Sequence, residues 1–237
     1  MEFQERCEEA VRRLPGVREV AITMNADVGS VWAPEQENLV PTVKNVVAVG
    51  SVKGGVGKST VAVNVAVALA QTGAAVGLLD ADVYGPDIPM MMGCERTPIQ
   101  TDGKLQPIVR HGVRGFSFGW LVPEETPVIW RGPLLHAGIR QLLKDVLWGE
   151  LDYLIVDLPP GTGYVPLTLS QSVPLTGTVI VTTPQQAVLR VALKALKMWR
   201  QSGVTILGLA ENMSYFICPG CGTRYDIFDS GGAERAA

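Results

Sequence analysis

Short runs in which every position is apolar recur along the chain: Val46–Val49, Val76–Leu79, Leu154–Val156, Val179–Val181 and Ile206–Leu209. A parallel strand buried on both faces reads this way, because its alternating side chains meet apolar neighbours above and below the sheet. Stretches of helical period lie between the runs. Residues 58–71 place Val61, Val65, Ala68 and Leu69 on one side. Residues 185–201 place Leu189, Ala192, Leu193, Leu196 and Trp199 on one face, with Arg190, Lys194, Lys197 and Arg200 opposite. This alternation predicts an α/β fold built on a doubly wound, mainly parallel sheet. Residues 98–120, with a Thr101-Asp102-Gly103 turn, read as a hairpin insertion.

The first 44 residues follow a different pattern. Phe3, Cys7, Ala10, Val11 and Leu14 share one face of a helix predicted over 2–14, which Pro15-Gly16 ends. Residues 17–24 alternate apolar and polar as a half-buried strand does. A helix and one strand cannot close a core, so residues 1–24 are expected to be part of a small α+β domain. Residues 25–44 contain Gly29, Pro34 and Pro41 without a regular period and read as a linker. The main domain is expected over 45–237.

Composition narrows the function classes. Of 237 residues, 47% are apolar and 18% charged, which suits a large core and excludes a solvated disordered chain. A net charge of −3 gives no global pull toward nucleic acid or an anionic membrane, so neither is an expected partner. The apolar stretches are strand-sized or interrupted, and none is expected to span a bilayer. The opening Met1-Glu2-Phe3-Gln4-Glu5-Arg6 is unlike a secretory leader, and a cytoplasmic location is expected. Four cysteines in a chain of this length are not a disulfide framework. Cys7 and Cys94 stand alone, and these two, with His111 and His136, read as structural or incidental.

The strongest local signal is Ser51-Val52-Lys53-Gly54-Gly55-Val56-Gly57-Lys58-Ser59-Thr60, which follows an apolar strand and opens a helix. Glycines let successive backbone N–H groups turn into one concavity, and the helix start adds its positive end. Lys58 can reach β- and γ-phosphates, and the Ser59 hydroxyl can ligate Mg²⁺. ATP is the expected ligand, with Gly54, Gly55, Val56, Gly57, Lys58, Ser59 and Thr60 around its phosphates. The bland alternative, a glycine-rich turn before a core helix, does not account for Gly-Lys-Ser at a strand–helix junction.

Two acidic positions complete the pattern. Asp80 and Asp82 follow the apolar run 76–79, and carboxylates at the end of such a strand face the crevice where open α/β sheets bind ligands. Either can orient an attacking water or hold Mg²⁺ through water; Asp82 is expected to orient the water, with Asp80 in support. Asp157 follows the run 154–156 and suits an Mg²⁺ ligand, and Gly161 can offer a backbone N–H to a γ-phosphate. Alone, such an aspartate is more often a helix cap; beside a phosphate loop the ligand role is favoured.

Cys218-Pro219-Gly220-Cys221-Gly222 is a knuckle-like turn whose thiolates suit a soft metal. One C-x-x-C supplies two ligands, whereas zinc and 4Fe–4S sites normally take four. With no second pair in the chain, a site shared by two protomers is favoured. Spacing alone leaves zinc and an iron–sulfur cluster open. A redox dithiol would usually open a helix, and this pair sits among Pro and Gly.

The loop K-G-G-x-G-K-S resembles the deviant Walker A class of P-loop NTPases, which includes nitrogenase iron protein, MinD and ParA. That resemblance implies that Lys53 reaches the nucleotide of a partner subunit and that ATP favours a face-to-face homodimer. Asp80-Ala81-Asp82-Val83-Tyr84-Gly85-Pro86, Trp130-Arg131-Gly132-Pro133, Asp157-Leu158-Pro159-Pro160-Gly161-Thr162-Gly163, Thr182-Thr183-Pro184-Gln185 and Glu211-Asn212-Met213-Ser214 are similar to strings of the Mrp/ApbC family of iron–sulfur cluster carriers. The likeness covers 45–237 and implies a 4Fe–4S cluster bridging Cys218 and Cys221 of two protomers. It further implies ATP hydrolysis coupled to transfer, a cluster donor and apoprotein recipients, and Asn212 on the adenine edge. It makes residues 2–24 the tail of a small iron–sulfur assembly domain. Val52 and Tyr164 stand where the family more often has Gly and Asp, and the family's chain usually runs past Ala237, so a fragment is expected. Two other readings compete: a MinD/ParA-like positioning ATPase, against which no membrane helix or basic run is seen, and an inactive, merely dimerising ATPase.

Overall fold

The computed structural model describes all residues except 1, 18, 30–36, 95–97, 122–131, 162, 229–230, 233 and 235–237. Helix α1 (Glu2–Arg12) comes first, then strand β1 (Val43–Gly50), α2 (Lys58–Gln71), β2 (Val76–Asp80) and the short α3 (Ile88–Met91). Two small hairpin strands, β3 (Gln100–Thr101) and β4 (Lys104–Leu105), precede β5 (Ile108–Arg110) and β6 (Val113–Ser117). The chain continues through α4 (Gly132–Asp145), β7 (Leu151–Asp157), α5 (Tyr164–Ser172), β8 (Leu175–Thr182), α6 (Gln186–Gln201) and β9 (Ile206–Glu211). A terminal hairpin pairs β10 (Phe216–Ile217) with β11 (Arg224–Tyr225).

Seven strands form one sheet in the order β5-β6-β2-β7-β1-β8-β9. Pairing is parallel throughout except between β5 and β6. The apolar runs sort by parity. Val47 and Val49 of β1 join Ala62 and Ala66 of α2 in one core, while Val46 and Ala48 join Leu142 and Leu143 of α4 and Leu169 of α5 in another. A run without polar positions is therefore what a strand covered on both sides requires. Each fully buried Leu, Ile or Val contributes about 1.5–3 kcal/mol, so these two cores carry the fold.

All five predicted strand runs are strands, and the helices over 58–71 and 185–201 form. Their buried faces are turned slightly from expectation. Ala62 and Ala66 are fully buried on α2 while Ala68 is exposed; on α6, Val188 and Ala195 are buried while Leu193 is 41% exposed. Small residues let α2 lie close to the sheet, so the tightest contact falls on alanines rather than on the larger valines.

Three expectations are corrected. Among the described residues of 17–24 there is no strand: the segment runs without a ladder partner, so its alternation carries no pairing, and Arg18 lies outside the described residues. The segment instead passes over the end of α2, where Met24 O lies against Gly73, and Gln4 Nε2 donates to Ile22 O at 3.3 Å. The linker ends sooner than expected, because Val43 and Lys44 already belong to β1. The stretch 98–120 is an insertion only in its first half. β3 and β4 form a side hairpin, but β6 is a sheet strand parallel to β2, with Val113 and Phe116 fully buried. Its Arg114 and Gly115 broke the apolar run that marked the other strands.

Candidate nucleotide site and cysteine hairpin

The register of the sheet brings the acidic positions to the phosphate loop. Asp157 of β7 is level with Asp80 of β2 on one side and Val49 of β1 on the other. Backbone bonds extend this alignment past the strand ends: Ala81 N donates to Asp157 O at 2.8 Å, Leu158 N to Val49 O at 3.0 Å and Gly161 N to Ser51 O at 2.8 Å. Three loops therefore leave the sheet side by side at its carboxyl edge, where open α/β sheets place ligands.

The loop over 51–60 turns as its glycines allow. Gly57 has φ +85°, and a Cβ there would lie 2.2 Å from Asn212 Nδ2, so both conformation and space call for glycine. Asn212, at the end of β9, donates through Nδ2 to Val56 O at 2.9 Å and so rests directly on the loop. Val56 is buried, Gly54, Gly55 and Thr60 are exposed, and Ser51 Oγ donates to Lys53 O at 2.9 Å while the Lys53 side chain faces solvent. Lys58 and Ser59 are each 6% exposed at the start of α2.

Lys58 Nζ lies 2.7 Å from Asp157 Oδ1 and 3.5 Å from Asp82 Oδ2, and it donates to Ser59 Oγ at 3.2 Å. Burial pushes the Asp157 carboxyl up from its ordinary range, and the Lys58 ammonium works against that shift. Its second oxygen, Oδ2, is buried and has no hydrogen-bond partner. A charged oxygen left so in a dry site is costly unless a cation meets it. With the neighbouring Ser59 hydroxyl it forms a hard-oxygen pair that suits Mg²⁺. Asp82 Oδ1 accepts the N–H groups of Tyr84 and Gly85, each at 3.3 Å, which folds its loop into a turn. Asp80 differs. It is fully buried and its pKa is pushed up to about 8, first by burial and then by the nearby Asp157 charge. Its oxygens accept Asp82 N at 3.1 Å, Ile88 N at 3.4 Å and Ser117 Oγ at 2.8 Å. So Lys58, Ser59, Asp82 and Asp157 meet in one site with Gly161 and Asn212 at its rim, whereas Asp80 sits behind it.

The cysteine pair lies apart, on the terminal hairpin. Phe216 pairs with Tyr225 and Ile217 with Arg224; Cys218 N donates to Thr223 O at 2.9 Å and Gly222 N to Cys218 O at 2.8 Å. These bonds make residues 218–223 a tight knuckle with Cys221 exposed and Cys218 half-buried. Cys221 Sγ and the Thr223 hydroxyl lie 3.2 Å apart, and that contact, then the Thr223 backbone and Cys218, holds the Cys221 thiol below its ordinary pKa. The surface around the knuckle is apolar: Phe216, Ile217, Tyr225 and Ile227 are 47%, 55%, 51% and 61% exposed. Among the described residues, no three His, Cys, Asp or Glu converge to hold a metal ion within one chain.

A family model described as "ParA: NUBPL iron-transfer P-loop NTPase" matches residues 42–237. The chain belongs to this iron-transfer P-loop NTPase family. Relatives agree. It is 54% identical over 239 residues to an iron–sulfur cluster carrier protein of Synechocystis sp., covering 98% of this chain and 68% of that one. It is 44% identical over 238 residues to the iron–sulfur cluster carrier protein of Escherichia coli K12, covering 100% of this chain and 64% of that one. The chain thus spans about two thirds of the length of these curated relatives. Among solved structures, an ADP-bound nucleotide-binding protein from Archaeoglobus fulgidus matches at 43% identity and TM-score 0.72, over 83% of this chain and 77% of that one. The cell division ATPase MinD of Pyrococcus furiosus shares the fold at 20% identity, TM-score 0.52 and 70% coverage of each chain.

The family's sheet explains which residues a motif search passes over. Ser117 and Gly119, which touch Asp80 and the loop beyond it, belong to no string with a recognised spacing. Only the parity of β6 beside β2 brings them there. Of the strings that carried the resemblance, Trp130-Arg131 and Thr162 lie outside the described residues. Among the described residues no helix is long and apolar enough to cross a membrane.

Proposed function

We propose that this chain binds and hydrolyses ATP and, as a pair of identical subunits, carries an iron–sulfur cluster to apoproteins. One observation bears most of the weight. A single chain holds a phosphate loop with its buried lysine, serine and aspartates brought together and, separately, half a set of sulfur ligands on an exposed apolar hairpin. Names of relatives that carry iron–sulfur clusters support the cargo, and the ADP-bound neighbour supports the nucleotide.

The residues divide the work as follows. The N–H groups of Gly54 to Thr60 receive the phosphates, and Lys58 exchanges its Asp157 partner for phosphate oxygens. Ser59 and Asp157 would hold Mg²⁺, which would supply neutralisation of charge on the phosphates. Asp82 accepts a hydrogen bond from the attacking water and aims it at the γ-phosphorus. Gly161 gives up Ser51 O for a γ-phosphate oxygen, so that its loop reports the nucleotide. Asn212 moves from Val56 O to the adenine edge. Lys53, already exposed, reaches the twin's nucleotide. Each subunit presents Cys218 and Cys221, and two knuckles supply four thiolates for a 4Fe–4S cluster as cargo.

Anaerobic reconstitution tests the reading. The expected product is brown, with about four iron and four sulfide per dimer and the molar mass of two chains. Zinc without sulfide would replace the cluster by a bridged zinc site. A monomer without metal in saturating ATP would end the proposal.

A further inference from the structure

The loop after β2 carries Asp82, and its far side rests on a turn that no motif marks. Asp80 supplies the first fastening. It is fully buried and grips the loop at two points, accepting Asp82 N at 3.1 Å and Ile88 N at 3.4 Å. Ser117, level with Asp80 on the neighbouring strand β6 and also fully buried, donates its single hydroxyl proton to Asp80 Oδ2 at 2.8 Å. The same Oγ accepts Gly119 N at 3.0 Å, which closes a 3-10 turn over Phe118–Trp120. Gly119 then lies flat against the loop: a Cβ there would be 3.0 Å from Pro86 Cβ and Cγ and 3.3 Å from Pro89 Cγ. Trp120 ends the turn, with its indole N–H donating to Cys94 O at 2.8 Å and its ring edge-on to Phe116 at 6.1 Å. From Asp82 to Cys94 the loop is thus held at its start by Asp80, and in its middle and at its end by one short turn.

We propose that Ser117 and Gly119 are positioning residues for ATP hydrolysis: their turn is the seat that fixes Asp82 beside Lys58. This rests on the hydrolytic role of Asp82 given above. The physical reason is geometric. Asp82 Oδ2 is 3.5 Å from Lys58 Nζ, at the mouth of the phosphate loop, and its main chain is tied to Asp80. Ser117 orients the Asp80 carboxyl, so that a change at β6 moves Asp82 without touching residues 51–60. Displacing a reacting group by about 1 Å can cost two orders of magnitude in rate while leaving ground-state binding intact.

Two substitutions load the seat by different chemistry. Ser117→Ala removes a donor to Asp80 and the acceptor for Gly119 N. Gly119→Ala keeps every hydrogen bond and pushes on Pro86 and Pro89. Both are expected to lower kcat for ATP by roughly 10- to 100-fold with the Kd for ATP changed less than about twofold. Asp152→Asn, at the amino end of β7 and away from the loop, serves as a control for general loss of stability and should leave kcat unchanged. Hydrogen–deuterium exchange gives a readout that needs no turnover. The peptide over 81–94 should exchange faster in Ser117→Ala, and the peptide over 51–60 should not. If wild type binds ATP but shows no turnover, the hydrolytic reading fails by itself, and exchange alone decides the seat. Unchanged exchange over 81–94 in Ser117→Ala, or a fall in ATP affinity matching the fall in kcat, overturns the proposal.

Discussion

The phosphate site and the cysteine hairpin are opposites in construction. The first is largely buried: Lys58, Ser59, Asp80 and Asp157 are all 6% exposed or less, and Lys58 and Asp80 are already paired. The second is open to solvent, with Cys221 exposed, two thiols on one tight turn, and apolar rings turned to solvent. A phosphate site can be built within one chain because its ligand brings its own charge and the sheet aligns the strand ends. On the proposed reading a labile cargo has to be released, and ligands on a small hairpin outside the core would part without unfolding anything.

If the two regions are independent in this way, they can be removed separately. Cys218→Ala is expected to abolish metal retention altogether, with ATP affinity and unfolding temperature within error of wild type. Lys58→Ala is expected to do the reverse, lowering ATP affinity by about 100-fold or more, since it removes a buried charge that contacts phosphate and strands Asp157. Calorimetric ATP titration and iron analysis on both variants check the pair. Loss of both properties in either variant would show that the hairpin and the phosphate site are built as one.

A smaller effect separates the regions by stability. Gly57→Ala places a side chain at φ +85° and against Asn212 Nδ2, and about 2–3 kcal/mol of destabilisation is expected, roughly 5–10 °C in Tm. Adding Asn212→Ala removes the obstacle but not the backbone strain, so the double variant should unfold above the sum of the two single effects. Ile217→Ser on the hairpin changes a residue 55% exposed, and less than about 2 °C is expected. Equal shifts at the two places would erase the contrast between a dense site and a loose one.

The contrast also explains what the sequence disclosed. The phosphate loop, Asp82, Asp157 and the cysteine pair were all legible, because each needs fixed residue types at fixed spacing next to a strand. The five sheet runs were legible because burial on two faces leaves no polar position. Helix α4 was missed although Leu135, Ile139, Leu142 and Leu143 recur at helical spacing and are all buried. Helix α5 was missed because Pro166 sits in its first turn. The position of Asp80 behind the site, and its partner Ser117, follows from which strand lies next to which. Strand order in a parallel sheet is set by crossovers that no local pattern records. The N-terminal strand failed for the converse reason: alternation is a necessary sign of a half-buried strand, but it does not supply the partner that makes one.

A further small effect lies at the amino end of the central strand β7, away from the phosphate loop, and it has a defined pH signature. Asp152 accepts hydrogen bonds from Lys44 Nζ at 2.8 Å and from Ala75 N at 2.8 Å. Those two bonds, that to Lys44 foremost, hold its carboxyl below the ordinary value of 3.8. Lys44 in turn is raised, first by Asp152 and also by the nearby Asp27 and Glu150 charges. A depressed carboxyl pKa means that the unfolded chain binds the proton more readily. The stabilisation is therefore complete above pH 3.8 and is lost as pH falls through the lower folded value. Lys44 is 47% exposed, so solvent screens the pair and the total effect is small. Asp152→Asn should lower Tm by a small constant amount from pH 8 to about 5, and the gap should begin to narrow as pH falls below about 4. Thermal melts taken on into acid check it: a gap that stays constant through acidification, with no narrowing below about pH 4, would assign the effect to the lost shape of the carboxylate pair rather than to its charge, and would move Asp152 into the same class as the neutral contacts of the core.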